Sequence, residues 1–338
     1  MRIDTVNNAF NWFLTEKVNM AKTRTEKARN SRDAIIEKIN GLTSFLPLDK
    51  SKHLHFGSFA RRTKIRPIDD IDIMICLNIT GNIQYVGNSI RVKVTDTSNC
   101  YVKDCCDSYS YGWYSTEYYL NSTKVKNRFK SSLSNLHDCR KAELHSNQEA
   151  VTLQFSSYEW IFDIVPCLYV NDSGCTYYLI PDGKGAWKKT DPRKDRDKVS
   201  YENTRLSGKV LELVRMAKYW AKINLGTYIP SYLVETMTID YCSQQSALSD
   251  CADWRFESLL KYFQTSANYM VNDMKGIQGN INSLTDQQKQ KFSRVARIDY
   301  QNALNAHNAE MIDKSQVRAI NYWREVFGES FPSYGDLV

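Results

Sequence analysis

The chain has 338 residues, 42% of them hydrophobic, with 45 Lys and Arg against 38 Asp and Glu for a formal net charge of +7. That length buries a substantial core and suggests two domains or one large bilobed unit. No run of about eighteen apolar residues occurs, which argues against a membrane-spanning helix; the first twenty residues, broken by Asp4, Asn7, Asn8, Glu16 and Lys17, lack the apolar stretch and cleavage site of a secretory signal.

Nine cysteines lie scattered at positions 76, 100, 105, 106, 139, 167, 175, 242 and 251. An odd, unpatterned set does not fit a paired secreted framework, so reduced thiols and a cytoplasmic location are expected. Cys100, Cys105 and Cys106 lack a CxxC spacing and a neighbouring histidine, so zinc is not expected there. Basic residues cluster at Arg61, Arg62, Lys64 and Arg66, at Lys124, Lys126, Arg128 and Lys130, and from Lys184 to Lys198. Such an excess suits polyanions, nucleic acid and nucleoside triphosphates alike, although a charge cluster is by default a solvated face.

From about Asp4 to Asn40 the pattern is helical, with Val6, Phe10, Phe13, Leu14 and Val18 on one face and Ala28, Ile35, Ile36 and Ile39 continuing it. His53 to Phe56 is a short strand followed by a Gly57-Ser58 turn, and DIDIMICL, Asp70 to Leu77, alternates as a β-branched strand. Gly81 to Gly112 carries mixed strand and turn signals without a clear order, and Glu117 to Leu144 reads as a helix. Ala150 to Phe155 and Glu159 to Val165 read as adjacent strands, the second ended by Pro166; Cys175 to Ile180 is another, closed by Pro181-Asp182-Gly183. Beyond about Asp191 strand patterns vanish. Leu206 to Ile223 is strongly amphipathic, with Val210, Leu213, Val214, Ala217 and Trp220 on one face, and Trp254 to Tyr269 and Gln316 to Phe327 are helical around a polar Gly276 to Asp286 loop. The expected class is α+β: a mixed-sheet half with N-terminal helices over residues 1–200, and a mostly helical half over residues 201–338.

Asp70 and Asp72 stand two apart on a strand, so both side chains share one face, about 7 Å apart. Asp69 adds a register ambiguity, but only the 70/72 pair has the period-two spacing. Asp-x-Asp alone is common and usually a polar strand face. Asp163 changes the weight of that reading, because it lies in the apolar stretch WIFDIVP, where an unpaired carboxylate is costly. If its strand pairs beside that of Asp70, three carboxylates converge as hard oxygen donors suited to Mg2+ or Mn2+. Two such ions about 4 Å apart clamp the attacking and leaving oxygens of a phosphoryl transfer. The alternative is a salt bridge from Asp163 to a nearby arginine. Gly57-Ser58 supplies backbone amides without an obstructing Cβ, plus a hydroxyl that opens a short helix; together these can hold triphosphate oxygens.

The stretch GSFARRTKIRPIDDIDIMICL resembles the signature of the DNA polymerase β-type nucleotidyltransferase superfamily, in which Gly-Ser precedes a metal-binding Asp-x-Asp. RPIDDIDIM, WIFDIVP, YYLIPD and Trp187-x-x-Thr190-Asp191-Pro192 narrow the resemblance to the bacterial CD-NTases, relatives of cyclic GMP-AMP synthase; LVRMAKYW and IPSYLVE resemble the helical half shared with that synthase and the oligoadenylate synthetases. The resemblance runs to about residue 240. It implies a bilobed nucleotidyltransferase whose N-terminal helices span the lobes. It further implies two Mg2+ or Mn2+ ions on Asp70, Asp72 and Asp163, and nucleotide contacts from Gly57, Ser58, Lys218, Ser231 and Tyr232, the last stacking on a base. The implied activity joins nucleoside triphosphates into a cyclic di- or trinucleotide with release of pyrophosphate. The product would be a diffusible messenger for a downstream effector in antiphage signalling, with no membrane and no nucleic acid required. The zinc-binding insertion of the animal synthase has no equivalent spacing here, which argues against DNA-triggered activity. By default Lys218 is a solvent-facing helix charge and Tyr232 a packing residue. A terminal nucleotidyltransferase acting on RNA, a basic nucleic-acid-binding module and a silent scaffold are the other readings.

Overall fold

In a computed structural model that describes residues 2–87, 89–111, 115–136 and 142–337, the chain begins with α1 (Val6–Phe13), continues through one π-helical turn (Leu14–Val18) and resumes as α2 (Lys22–Asn40). Thr5 opens α1 by accepting from the Asn8 amide at 3.2 Å. The expected single helical run is interrupted at Asn19, which is extended. Arg66 explains the stop: its guanidinium donates to the carbonyls of Thr15 and Glu16 at 2.8 Å each, and to that of Asn19. Those carbonyls are the orphan acceptors of a helix end.

There follow β1 (Leu54–Phe56), α3 (Gly57–Ala60), β2 (Asp70–Leu77), β3 (Gly81–Val86), β4 (Ser89–Val94), α4 (Cys100–Asp104), β5 (Cys106–Tyr111), β6 (Ser115–Leu120), α5 (Ser122–Ser134), β7 (Glu143–Asn147), β8 (Ala150–Gln154), β9 (Ile161–Asp172), β10 (Cys175–Pro181) and β11 (Trp187–Thr190). The described strands form one sheet in the order β1-β2-β9-β10-β11-β4-β6-β5, with β3 on β4 and the β7-β8 hairpin joined to β9. Among the described strands only β2 and β9 run parallel. A parallel pair requires a long crossover, and everything from β3 to β8 supplies it. The rest of the chain is helical: α6 (Pro192–Arg205), α7 (Val210–Asn224), α8 (Ser231–Ser243), α9 (Ala252–Ser266), α10 (Asp286–Met311) and α11 (Gln316–Phe327).

Three further expectations about single elements need correction. Glu117 to Leu144 is not one helix: β6 carries the β-favouring Tyr118-Tyr119, and α5 begins only where the Asn121 side chain accepts from the amides of Thr123 and Lys124. Pro166 does not end its strand. Opposite β2, the flank of β9 changes partner from β8, registered to Ile164, to β10, registered from Leu168. Pro166 lies in that change-over, where a missing N–H removes no rung. The Leu206–Ile223 helix starts late, because Ser207 and Gly208 take left-handed backbone (φ +57° and +82°) between α6 and α7; its predicted stripe from Val210 to Trp220 is buried. The cysteines within the described residues are free thiols; Cys139 lies outside them.

The chain divides into two compact units that are discontinuous in sequence, rather than at one cut near residue 200. The sheet unit comprises Thr23–Ala60 and Ile68–Arg193; the helical unit comprises Met1–Lys22, Arg61–Pro67 and Lys194–Val338. In the helical unit, α1 inserts Phe10 against Trp323 (4.8 Å between ring centroids) and Phe331 (5.0 Å), and Phe13 against Tyr219 (5.1 Å), all edge-on. Each such ring contributes roughly 1.5–3 kcal/mol by burial alone. In the sheet unit, α2 buries Ala28, Ser31, Ile35 and Ile39, and Trp160 donates its indole N–H to Ser31 at 3.1 Å. Among the described residues no helix is long and apolar enough to cross a membrane.

One buried acid in the helical unit gives a pH signature. Asp299 accepts from the Trp220 indole N–H at 2.7 Å; burial pushes its carboxyl up to about 6 against the bonds that favour its charged form. The unfolded acid ionises near pH 4, so between pH 4 and 6 the unfolded chain releases a proton that the folded chain keeps, and stability falls as pH rises. A shift of about two units is worth roughly 3 kcal/mol. Thermal melts of Asp299→Asn are therefore expected to exceed wild type by a margin that widens from pH 4.5 to pH 7.5; a margin independent of pH would contradict this account.

Candidate active site

The sheet register builds the site. Parallel pairing of β2 and β9 sets Asp72 directly opposite Asp163, and Asp70 opposite Ile161. On the outer side of β2, Phe56 stands opposite Asp72; on the outer side of β9, Thr152 stands opposite Asp163. Phe56, Asp72, Asp163 and Thr152 thus form one row across four strands, on one face of the sheet. Asp70 lies one pleat along that face, while Asp69 is exposed and precedes β2. The other face is apolar and buried, with Ile71, Ile73, Ile75, Phe162 and Ile164. Behind the carboxylates, the acidic face itself turns apolar through Met74, Cys76, Val165 and Cys167.

Asp70, Asp72 and Asp163 are all half-buried, and Asp72 and Asp163 line a pocket of about 210 Å3 together with Phe56, Met74, Glu149 and Val165. Neighbouring strands lie about 4.8 Å apart, and two like charges at that spacing repel by roughly 3 kcal/mol at an effective dielectric near 20. Such a pair is costly unless cationic charge or donors offset it. Thr152 supplies one donor, its hydroxyl bonding Asp163 Oδ1 at 2.7 Å. Among the described residues no three His, Cys, Asp or Glu side chains are already drawn together as a metal cluster. The donor set nonetheless fits Mg2+ or Mn2+: these ions take one or two carboxylates from the protein and complete their shell with water and phosphate oxygens, and the register offers two carboxylates side by side at an open pocket. Glu149 is paired with Lys188 at the rim.

Gly57 follows the residue opposite Asp72 and opens α3 with φ +72°. A Cβ built there would stand 1.7 Å from Asp72 Oδ2. The position therefore demands glycine twice, for its left-handed backbone and for the close approach of a carboxylate. Ser58 is the next residue of the same short helix and is half-buried.

The other three predicted residues lie on the helical unit. Lys218 is not a solvent-facing charge. It is buried, donating to the Thr63 carbonyl at 3.0 Å with its ammonium 3.5 Å from Glu235. Glu235 is fully buried and also accepts from Arg61 Nε at 2.6 Å and from Thr63 Oγ1 at 2.9 Å. Burial pushes the Glu235 carboxyl up, but Arg61 and Lys218 outweigh it and hold it below its ordinary range; burial pushes the Lys218 ammonium down, and Glu235 only partly restores it. Arg61 also reaches Asp195 at 3.1 Å. Ser231 is exposed at the first position of α8. Tyr232 is half-buried, its hydroxyl donating to Asp273 at 2.8 Å and receiving from Lys275 at 3.2 Å, with Lys275 and Arg61 4.4 and 5.3 Å from the ring centroid. Thr152, Glu149 and the Arg61–Glu235 pair were not singled out by the sequence; alternation in AVTLQ placed Thr152 opposite the faces of Val151 and Leu153, the one signal available for it.

Comparison with known proteins agrees with this architecture. Residues 5–88 match the family described as Second Messenger Oligonucleotide or Dinucleotide Synthetase domain. A probable cyclic nucleotide synthase of Bacillus cereus strain VD146 is 36% identical over 343 residues, covering 99% of this chain and all of the relative. The cyclic AMP-AMP-AMP synthase of Escherichia coli strain MS 115-1 is 20% identical over 94% of this chain and 95% of its own length. Among solved structures, E. coli MS115-1 CdnC with ATP superposes with a TM-score of 0.68 at 16% identity, over 97% of this chain and 99% of that one. Vibrio cholerae DncV, a cyclic AMP-GMP synthase, gives 0.58 at 12% identity, over 84% and 70%. The chain belongs to the bacterial CD-NTase family of cyclic nucleotide synthases and is a nucleotidyltransferase.

Proposed function

We propose that the chain joins nucleoside triphosphates into a cyclic di- or trinucleotide with release of pyrophosphate, using divalent cations held by Asp70, Asp72 and Asp163. The observation that carries this reading is the row in which Asp72 and Asp163 stand opposite each other beside a glycine-opened helix. Mg2+ or Mn2+ bound there, as two ions, would supply the positive charge that activates an acceptor ribose hydroxyl and neutralises departing pyrophosphate. The carboxylates' part is to hold that charge in fixed geometry. The amides at Gly57 and the Ser58 hydroxyl suit triphosphate oxygens, because Gly57 has no Cβ to block their approach. Lys218, Ser231 and Tyr232 are the proposed nucleotide contacts of the helical unit. Lys218 reaches that role only by way of its buried network, since its ammonium is already bonded to Thr63. The product would be a diffusible second messenger acting on a downstream effector in antiphage defence, with no membrane or nucleic acid required. The resemblance to cyclic nucleotide synthases supports this role.

Incubation with labelled ATP, GTP, CTP and UTP is expected to give Mg2+- or Mn2+-dependent, phosphatase-resistant products and pyrophosphate. Asp72→Asn and Asp163→Asn should each lower the rate by more than about a hundredfold at unchanged melting temperature. Linear, primer-dependent products would instead indicate terminal transfer, and equal signals from wild type and both variants would remove the reading. Gly57→Ala tests the close approach separately: its Cβ must displace Asp72, so synthesis should fall about as far as in Asp72→Asn, with a cost of roughly 1–2 kcal/mol from the left-handed backbone. Near-normal synthesis by that variant would show that Asp72 does not need its present position.

A further inference from the structure

Asp163 has a different neighbour on each flank: Asp72 across β2, and Thr152 across β8. The Thr152 hydroxyl donates to Asp163 Oδ1 at 2.7 Å. We infer that Thr152 is a positioning residue for the ion site: its bond to Oδ1 sets the plane in which the Asp163 carboxylate, opposite Asp72, would meet a divalent cation. This inference rests on the reading of Asp72 and Asp163 as ion ligands.

Three observations favour orientation over mere satisfaction of a polar group. Asp163 is half-buried and lines an open pocket, so water can reach its carboxylate and the threonine bond is not required to pair a buried charge. Asp163 stands beside a second carboxylate, whose repulsion favours rotation away from β2; a donor on the β8 flank fixes one oxygen and sets the carboxylate plane. Finally, Thr152 is rigidly placed. Its neighbours Val151 and Leu153 are fully buried and registered to Ile164 and Phe162, and a β-branched residue in a strand has few χ1 options. A hydrogen bond that orients a carboxylate ligand from a rigid strand is the arrangement in which loss of the donor weakens metal affinity by roughly 10- to 100-fold.

Mn2+ binding, read from the free-ion signal in electron paramagnetic resonance without nucleotide, tests this on wild type, Thr152→Val, Thr152→Ser and Asp163→Asn, with thermal melts of each. Thr152→Val keeps shape and strand propensity but removes the hydroxyl. It is expected to weaken Mn2+ binding at least tenfold at an unchanged melting temperature, while Thr152→Ser restores binding to within about threefold. If Thr152→Val fails to fold, Thr152→Ala carries the same comparison. Wild-type affinity in the hydroxyl-free variant, with binding lost in Asp163→Asn, overturns the role of Thr152 and leaves the ion site standing. Unchanged binding in Asp163→Asn overturns the ion-site reading itself and the role of Thr152 with it.

Discussion

Parallel pairing of β2 with β9 forces two carboxylates into adjacent positions on one sheet face, and the sheet unit is arranged around that cost. A strand cannot shift by one residue to relieve the repulsion, because the slip would turn Ile71, Ile73 and Ile75 out of the core and the aspartates into it. The apolar face therefore locks the acidic face. With register locked, a threonine hydroxyl bonds Asp163 on one flank, and on the other the glycine that opens α3 leaves room for the Asp72 carboxylate. That fixed pair of carboxylates is the geometry on which the proposed divalent-cation site rests.

The helical unit answers a different electrostatic problem. It buries Glu235, Asp195, Arg61 and Lys218 together, and the arrangement persists because each charge is met by an opposite one, with Thr63 bonding Glu235 and Lys218 as well. Removing Glu235 would leave Lys218 buried without its carboxylate, and breaking a buried pair in this way typically costs about 3–5 kcal/mol. The segment Arg61–Pro67 belongs to this unit although it separates Gly57 from Asp70 in the chain. The same short stretch of sequence therefore carries the glycine and aspartates of the sheet unit, and the arginine and threonine on which the buried network of the helical unit is built.

Legibility in the sequence followed the range of the forces involved. The strands of DIDIMICL and WIFDIVP were readable because alternation and β-branching are local, and so was the stripe from Val210 to Trp220. That Asp72 faces Asp163 was readable only as a condition, since nothing local states which of two strands about ninety residues apart will pair. Helix position alone gave Lys218 only the default of a solvent-facing charge; its burial was not readable, because its partners Thr63 and Glu235 come from other segments. The stretch after Glu117 looked helical since polar spacing cannot distinguish a strand from a helix start; pairing with β5 decides it. The part of Thr152 was hidden for the same reason as the register: alternation gives its face, but nothing local gives the residue opposite it.

The central claim is that Asp72 and Asp163 share a divalent cation. The most direct measurement is anomalous diffraction from crystals grown with Mn2+ and a non-hydrolysable nucleoside triphosphate. The account predicts an anomalous peak within coordination distance, roughly 2.1–2.3 Å, of carboxylate oxygens from both residues. Manganese located elsewhere, or bound to the nucleotide alone with neither carboxylate in its shell, would contradict it.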